Sequence, residues 1–158
     1  MDTMTLEVRN ATAEYVSVLV KVYHTAYREN KRMGFPSSVL ECDTDDVADW
    51  LRNRTVLVAK REDEIVGVVQ LIPRSDWDTP EIGRLAVSPD YQGEGIGQLL
   101  LESVEEHAKA DGQDSIHLRT LSRHPFLEDW YRQEGYERIG IERLSNRPYD
   151  VPIMEKEL

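Results

Sequence analysis

The chain has 158 residues and a formal charge of −11, from 30 acidic against 19 basic side chains. That length suits one domain spanning residues 1–158 with a buried core, and the charge opposes nonspecific binding to nucleic acid while drawing cationic small molecules or basic peptides, unless it serves solubility alone. Cys42 is the only cysteine, which excludes an internal disulfide and a cysteine-rich metal site, and no stretch has the apolar length of a membrane span.

His24, His107, His117 and His124 share no ligand spacing on one element, so no metal is expected. Met1-Asp2-Thr3-Met4 begins no charged-then-apolar signal segment, and the expectation is a cytoplasmic protein with no membrane partner.

Residues 4–9 alternate as a first strand, and Asn10 or Thr12 is placed to cap the helix that follows, in which Val16, Leu19, Val20, Tyr23 and Tyr27 recur at three and four. Residues 33–38 hold the breakers Gly34 and Pro36 and read as a loop. Residues 43–46 open a second helix that turns Val47, Trp50 and Leu51 inward. Residues 55–60 and 65–72 are β-branched runs separated by the polar residues 61–64, which predicts an antiparallel hairpin. The second run is apolar on both faces and belongs at the centre of a sheet.

After a loop over 74–80 carrying Trp77, a strand at 82–87 is stopped by Ser88-Pro89-Asp90, since proline offers no N–H to a ladder. Gly93, Gly95 and Gly97 then open a helix whose Ile96, Leu99, Leu100, Val104 and Ala108 form one apolar face. Glycines there admit positive φ and close ligand approach, while the first N–H groups of the helix are left unsatisfied. Such a terminus favours phosphate. Gly97-Gln98-Leu99 lacks the lysine and hydroxyl of a P-loop, and Gly93-Glu94-Gly95-Ile96-Gly97 has the wrong spacing for a dinucleotide fingerprint.

Past Asp111-Gly112, residues 115–120 form a fifth strand joined through a helix to the one before it, hence a parallel pair. Residues 121–125 turn into a fourth helix with Phe126, Leu127, Trp130 and Tyr131 on its apolar side and Gly135 at its C-cap. Residues 136–144 and 151–158 are two last strands around a loop at 145–150.

Gln92-Gly93-Glu94-Gly95-Ile96-Gly97 resembles the Arg/Gln-x-x-Gly-x-Gly/Ala pyrophosphate loop of the GNAT superfamily of N-acetyltransferases. Two further stretches extend the resemblance: Glu81-Ile82-Gly83-Arg84-Leu85-Ala86-Val87-Ser88-Pro89 looks like the family's fourth strand, and Trp130-Tyr131-Arg132-Gln133-Glu134-Gly135-Tyr136 looks like its Leu-Tyr-x-x-x-Gly-Phe segment. The resemblance implies an α/β fold with a mixed, mostly antiparallel sheet of about seven strands, a splayed parallel pair formed by the fourth and fifth, and about four flanking helices. It implies acetyl-CoA as cosubstrate and a small-molecule or peptide primary amine as acceptor, with a longer acyl donor left open. A homodimer is a frequent state in the family. The alternative class is a module that senses acyl-CoA without turnover.

By the same resemblance, the backbone of Leu85, Ala86 and Val87 faces the pantetheine arm and Gln92, Gly93, Glu94, Gly95, Ile96, Gly97 and Gln98 hold the pyrophosphate. His124 stands where the family often has a cofactor-contacting asparagine, a departure from its pattern. Glu81 occupies the position of a catalytic glutamate, against the plain reading of a solvated acid at a strand start, and His117 is a lesser substitute. Tyr131 is the acid for the departing thiolate, against a core tyrosine beside Trp130, and the Val87 N–H serves the oxyanion. Tyr27, Phe35 and Tyr149 are acceptor contacts, with core filling the alternative for the first two. Cys42 lies far in sequence from these strands, which favours direct transfer in a ternary complex over an acetyl-cysteine intermediate.

Overall fold

A computed structural model describes residues 6–35, 37–121, 126–143 and 149–158. Its strands are β1 (Leu6–Asn10), β2 (Thr55–Arg61), β3 (Glu64–Ile72), β4 (Glu81–Val87), β5 (Ser115–Arg119), β6 (Glu137–Arg143) and β7 (Asp150–Glu157). The helices are α1 (Val16–Arg32), α2 (Thr44–Asn53), α3 (Ile96–Ala110) and α4 (Leu127–Gln133). The strands make one sheet in the order β1-β2-β3-β4-β5-β7-β6, antiparallel everywhere except between β4 and β5. This is the mixed α/β architecture that the sequence predicts.

Each face of the sheet carries its own core. α1 and α2 cover one side through Leu19, Tyr23 and Val47 against Val56, Val58, Val68 and Ala86. α3 and α4 cover the other through Ile96, Leu100, Val104 and Tyr131 against Leu57, Val69, Ile82 and Leu118. β3 is buried from Ile65 to Leu71 because it lies between both layers, as its unbroken apolar run requires. Each fully buried aliphatic side chain contributes about 1.5–3 kcal/mol of transfer free energy, so these two layers hold the sheet flat against its helices.

Local chemistry sets most of the ends. Asp43 caps α2 in a reciprocal box with Asp46, each side-chain oxygen accepting from the other residue's backbone N–H at 2.9 and 3.0 Å. α4 ends in a Schellman turn at Gly135 (φ 102°), where Tyr136 N–H donates to Tyr131 C=O and Gly135 N–H to Arg132 C=O. Three expectations are corrected. Neither Asn10 nor Thr12 caps α1: a single 3-10 turn at Ala13–Tyr15 precedes it, and the Thr12 hydroxyl donates to Glu14 instead. Phe126 lies ahead of α4 and is 63% exposed, so the apolar side of that short helix begins at Leu127. Gly97 stands in the first turn of α3 and is not among the glycines with positive φ, so it does not share the left-handed backbone of Gly93 and Gly95.

One irregularity shapes everything that follows. Gly67 and Val68 face Val87 and Ala86, but Gln70 faces Gly83, so Arg84 and Leu85 stand together opposite Val69. The bulge places Arg84 at φ 51°, a left-handed conformation that costs an L-residue with a Cβ roughly 1–2 kcal/mol. It also turns the Arg84 side chain onto the α1/α2 face, over Trp50, while Leu85 packs into the α3/α4 core.

Candidate active site

β4 and β5 pair only at Glu81 with His117 and Ile82 with Leu118. Beyond that point β4 bends at its bulge and β5 follows β7, to which it is paired along its whole length. The divergence opens a cavity of about 490 Å³. Leu127 and Tyr131 line it from the α3/α4 side, Tyr27, Asn30 and Phe35 from the α1/α2 side, and Leu85 lies between them. A gap in the sheet therefore gives access from both layers.

At the far end of β4 the chain passes through a short 3-10 turn at Pro89–Tyr91 into the glycine-rich turn. Gly93 and Gly95 take φ 83° and 82°, and nothing lies within 4 Å of where a Cβ would stand on either, so the turn presents bare backbone. The N–H groups of residues 93–98 donate to no carbonyl or side chain among the described residues, and the first turn of α3 carries no acidic side chain. These open donors, the helix dipole and the exposed backbone fit a pyrophosphate. Arg61, invisible to motif reading, stands beside the turn: its guanidinium pairs with Glu94 at 2.6 Å and lies 5.4 Å from the Tyr91 ring centre, with Nε buried and unpartnered. Trp130 of α4 closes the other side, 3.6 Å from where a Gly97 Cβ would be.

Glu81 is 4% exposed, so it is not a solvated acid. One oxygen accepts from Arg74 Nη1 and the other from Arg119 Nε, both at 2.6 Å. Arg74 also holds Asp76, and Arg119 holds Glu142 at 3.2 Å, which makes a five-residue charged chain whose Glu81, Arg119 and Glu142 line the cavity. Charge-assisted bonds of this length fix the carboxylate firmly. Asp76, gripped by Arg74, sits well below the usual carboxylate range, at about 2. His117 pairs with Glu81 in the ladder but is not on the cavity wall: its ring stacks on Trp77 at 4.1 Å and its Nδ1 meets Thr79 Oγ1 at 2.7 Å. Burial pushes its pKa down and keeps it neutral.

Tyr131 is 7% exposed, packs edge-on to Trp130 and Tyr136, and lines the cavity with a hydroxyl that bonds to none of the described residues. Burial raises its phenol far above the ordinary value, so it is a protonated donor at neutral pH. Tyr27, Phe35 and Tyr149, which the sequence scatters over more than a hundred positions, share the same cavity wall, with the Phe35 and Tyr149 rings edge to face at 5.2 Å. Burial lifts the Tyr27 phenol to about 12, against the opposing charge of Arg84. Ala86 and Val87 lie beyond the cavity, on the part of β4 that leads to the turn. His124 lies outside the described residues. Among the described residues no helix is long and apolar enough to cross a membrane.

Comparison with known proteins agrees with this geometry. Residues 23–136 match the model of the Acetyltransferase (GNAT) family. An S-alkylcysteine N-acetyltransferase of Bacillus subtilis (strain 168) is 28% identical over 139 residues, covering 82% of this chain and 77% of its own. An amino-acid acetyltransferase of Pseudomonas putida is 30% identical over 138 residues, covering 87% of this chain, which spans only 29% of that longer relative. Among solved structures, the PaiA N-acetyltransferase of Thermoplasma acidophilum in complex with coenzyme A superposes with a TM-score of 0.82 at 18% identity, over 98% of this chain and 100% of its own. By the family match across its middle, the chain belongs to the GNAT acetyltransferase family and is an acetyl-CoA-dependent N-acetyltransferase.

Proposed function

We propose that the protein passes the acetyl group directly to a primary amine bound at the β4/β5 gap, in a ternary complex with acetyl-CoA. The observation that carries this reading is the cavity reaching both layers. A donor entering beside Leu127 and Tyr131 and an acceptor entering beside Tyr27, Asn30 and Phe35 converge at Leu85. The names of the relatives, which act on S-alkylcysteine and on amino acids, support a small amine of that kind over a protein surface.

Acetyl-CoA supplies the activated thioester. In this reading the turn from Gln92 to Gln98 holds its pyrophosphate, and the backbone of Leu85, Ala86 and Val87 flanks its arm. An alkylamine has a pKa near 10 and is mostly protonated at neutral pH, so a proton must leave before nitrogen can attack. Glu81 receives it through a water: each of its oxygens accepts from one guanidinium and keeps a second lone pair for the proton. The nitrogen bonds to the carbonyl carbon, the Val87 N–H steadies the oxyanion, the C–S bond breaks, and Tyr131 protonates the departing thiolate.

Tyr131→Phe tests the assignment, because it removes the hydroxyl and keeps the ring in its apolar pocket. The expected result is acetyl-CoA affinity within about twofold of the parent and turnover at least ~10-fold lower, about 1.4 kcal/mol of barrier. Equal turnover in variant and parent would remove Tyr131 from the acid role.

A further inference from the structure

Among the cationic side chains on the cavity wall, Arg119 is committed to Glu81 and Glu142, whereas Arg84 pairs with no carboxylate among the described residues. Among the described residues Arg84 forms no ion pair and makes no hydrogen bond. Its Nε is buried and unpartnered. Arg84 is half-buried, and leaving its Nε buried without an acceptor is costly, a cost the chain bears at a residue whose backbone is already left-handed.

The surroundings hold the group in place. Its carbon lies 4.6 Å above the Trp50 ring centre, a cation–π seat on the acceptor side of the sheet. Arg54, also over Trp50 at 5.6 Å, is engaged by Gln70 at 2.7 Å, and Gln70 in turn donates to Tyr23 at 2.8 Å. Of the two acids on the cleft that Arg84 also lines, Asp46 spends its carboxylate on the α2 cap and Glu41 forms no ion pair with Arg84. Arg84 therefore separates the main cavity from a second cleft of about 320 Å³ and offers unsatisfied donors at their junction.

We propose that Arg84 is the carboxylate anchor of the acceptor site, and that the acceptor is a free α-amino acid whose carboxylate docks on this guanidinium while its amine points to the gap beside Leu85. The opposite layer carries the pyrophosphate turn, so Arg84 is on the wrong side of the sheet to serve acetyl-CoA. A peptide N-terminus has an amide where the carboxylate would be, and offers the fork of donors one neutral oxygen in place of two charged ones. The proposal rests on the acetyltransferase reading above and narrows its acceptor.

The test is CoA release with a panel of α-amino acids bearing acidic, basic, aliphatic, aromatic and S-methyl side chains, each beside its α-carboxamide. The parent is expected to prefer the acid over the amide by at least ~10-fold in kcat/KM for its best acceptor, and Arg84→Gln to erase most of that preference. Arg84→Lys, which keeps charge without the fork, should fall between them, and a melting shift with acetyl-CoA establishes that each variant is folded. An unchanged preference in Arg84→Gln, or a parent that prefers amides or tripeptide N-termini, would overturn the anchor while leaving acetyl transfer intact. If no amine releases CoA, the transfer reading fails by itself. The anchor is then judged by saturation-transfer NMR of the amino acids on the CoA-bound protein, where binding lost in Arg84→Gln supports it and equal binding overturns it.

Discussion

Two carboxylate oxygens decide how much of the chemistry belongs to Glu81. Arg74 comes from the loop seven residues earlier and Arg119 from the end of the neighbouring strand, and both reach the carboxylate at 2.6 Å. If Glu81 takes the amine proton through water, Glu81→Gln should slow turnover most at neutral pH, with the deficit shrinking as the pH approaches the amine's own pKa near 10, where the acceptor is already neutral. A deficit constant across pH would leave Glu81 with the role of holding Arg119 at the cavity. The variant also leaves two guanidinia facing an amide, so its stability should fall by about 1–3 kcal/mol, read from denaturant unfolding alongside the rate. Glu81 could be named from sequence because it stands where the resembled family carries a catalytic glutamate, four residues before Leu85. Its partners could not, since the contact with Arg119 spans 38 positions and depends on where β5 ends. Arg84 was hidden for a related reason: Gly83-Arg84-Leu85-Ala86-Val87 reads as an ordinary strand, and nothing in those letters announces a left-handed arginine at a bulge.

At the scale of elements, the legible parts were those governed by neighbours in sequence. The glycine turn, the helix α3 that follows it and the Schellman end at Gly135 are local devices, and each stands where its residues placed it. The start of α1 was misread because a hydroxyl with a nearby acid has two partners to choose from, and Thr12 donates to Glu14 rather than capping. α2 gives a clean test of the local logic. Its Asp43 box is exposed and lies on the opposite face of the sheet from α3, so Asp43→Ala should cost about 1 kcal/mol and lower the Tm by roughly 2–4 °C for a chain this size. Acetyl-CoA affinity measured by calorimetry should not change. A marked loss of affinity would mean that α2 shapes the cofactor side.

For the whole molecule, the sheet is the device that joins two chemistries. Its two faces are sealed by separate cores, and only the departure of β5 from β4 opens a cavity that Leu127 and Tyr131 line from one layer and Tyr27 and Asn30 from the other. The net charge of −11 gave no hint of the arginines at that gap, because a surface average says nothing about a cavity wall. The measurement that bears most directly on the account is the Tm of the parent and of Gly95→Ile with and without acetyl-CoA, each compared with its own ligand-free value. At a hundred times the dissociation constant the ligand should stabilise the parent by about 2.7 kcal/mol and raise its Tm by several degrees. A branched side chain at Gly95, where backbone is bare and no atom lies within 4 Å, should abolish that rise. An equal rise in both proteins would place the cofactor away from the turn, and no rise in the parent would contradict acetyl-CoA as its donor.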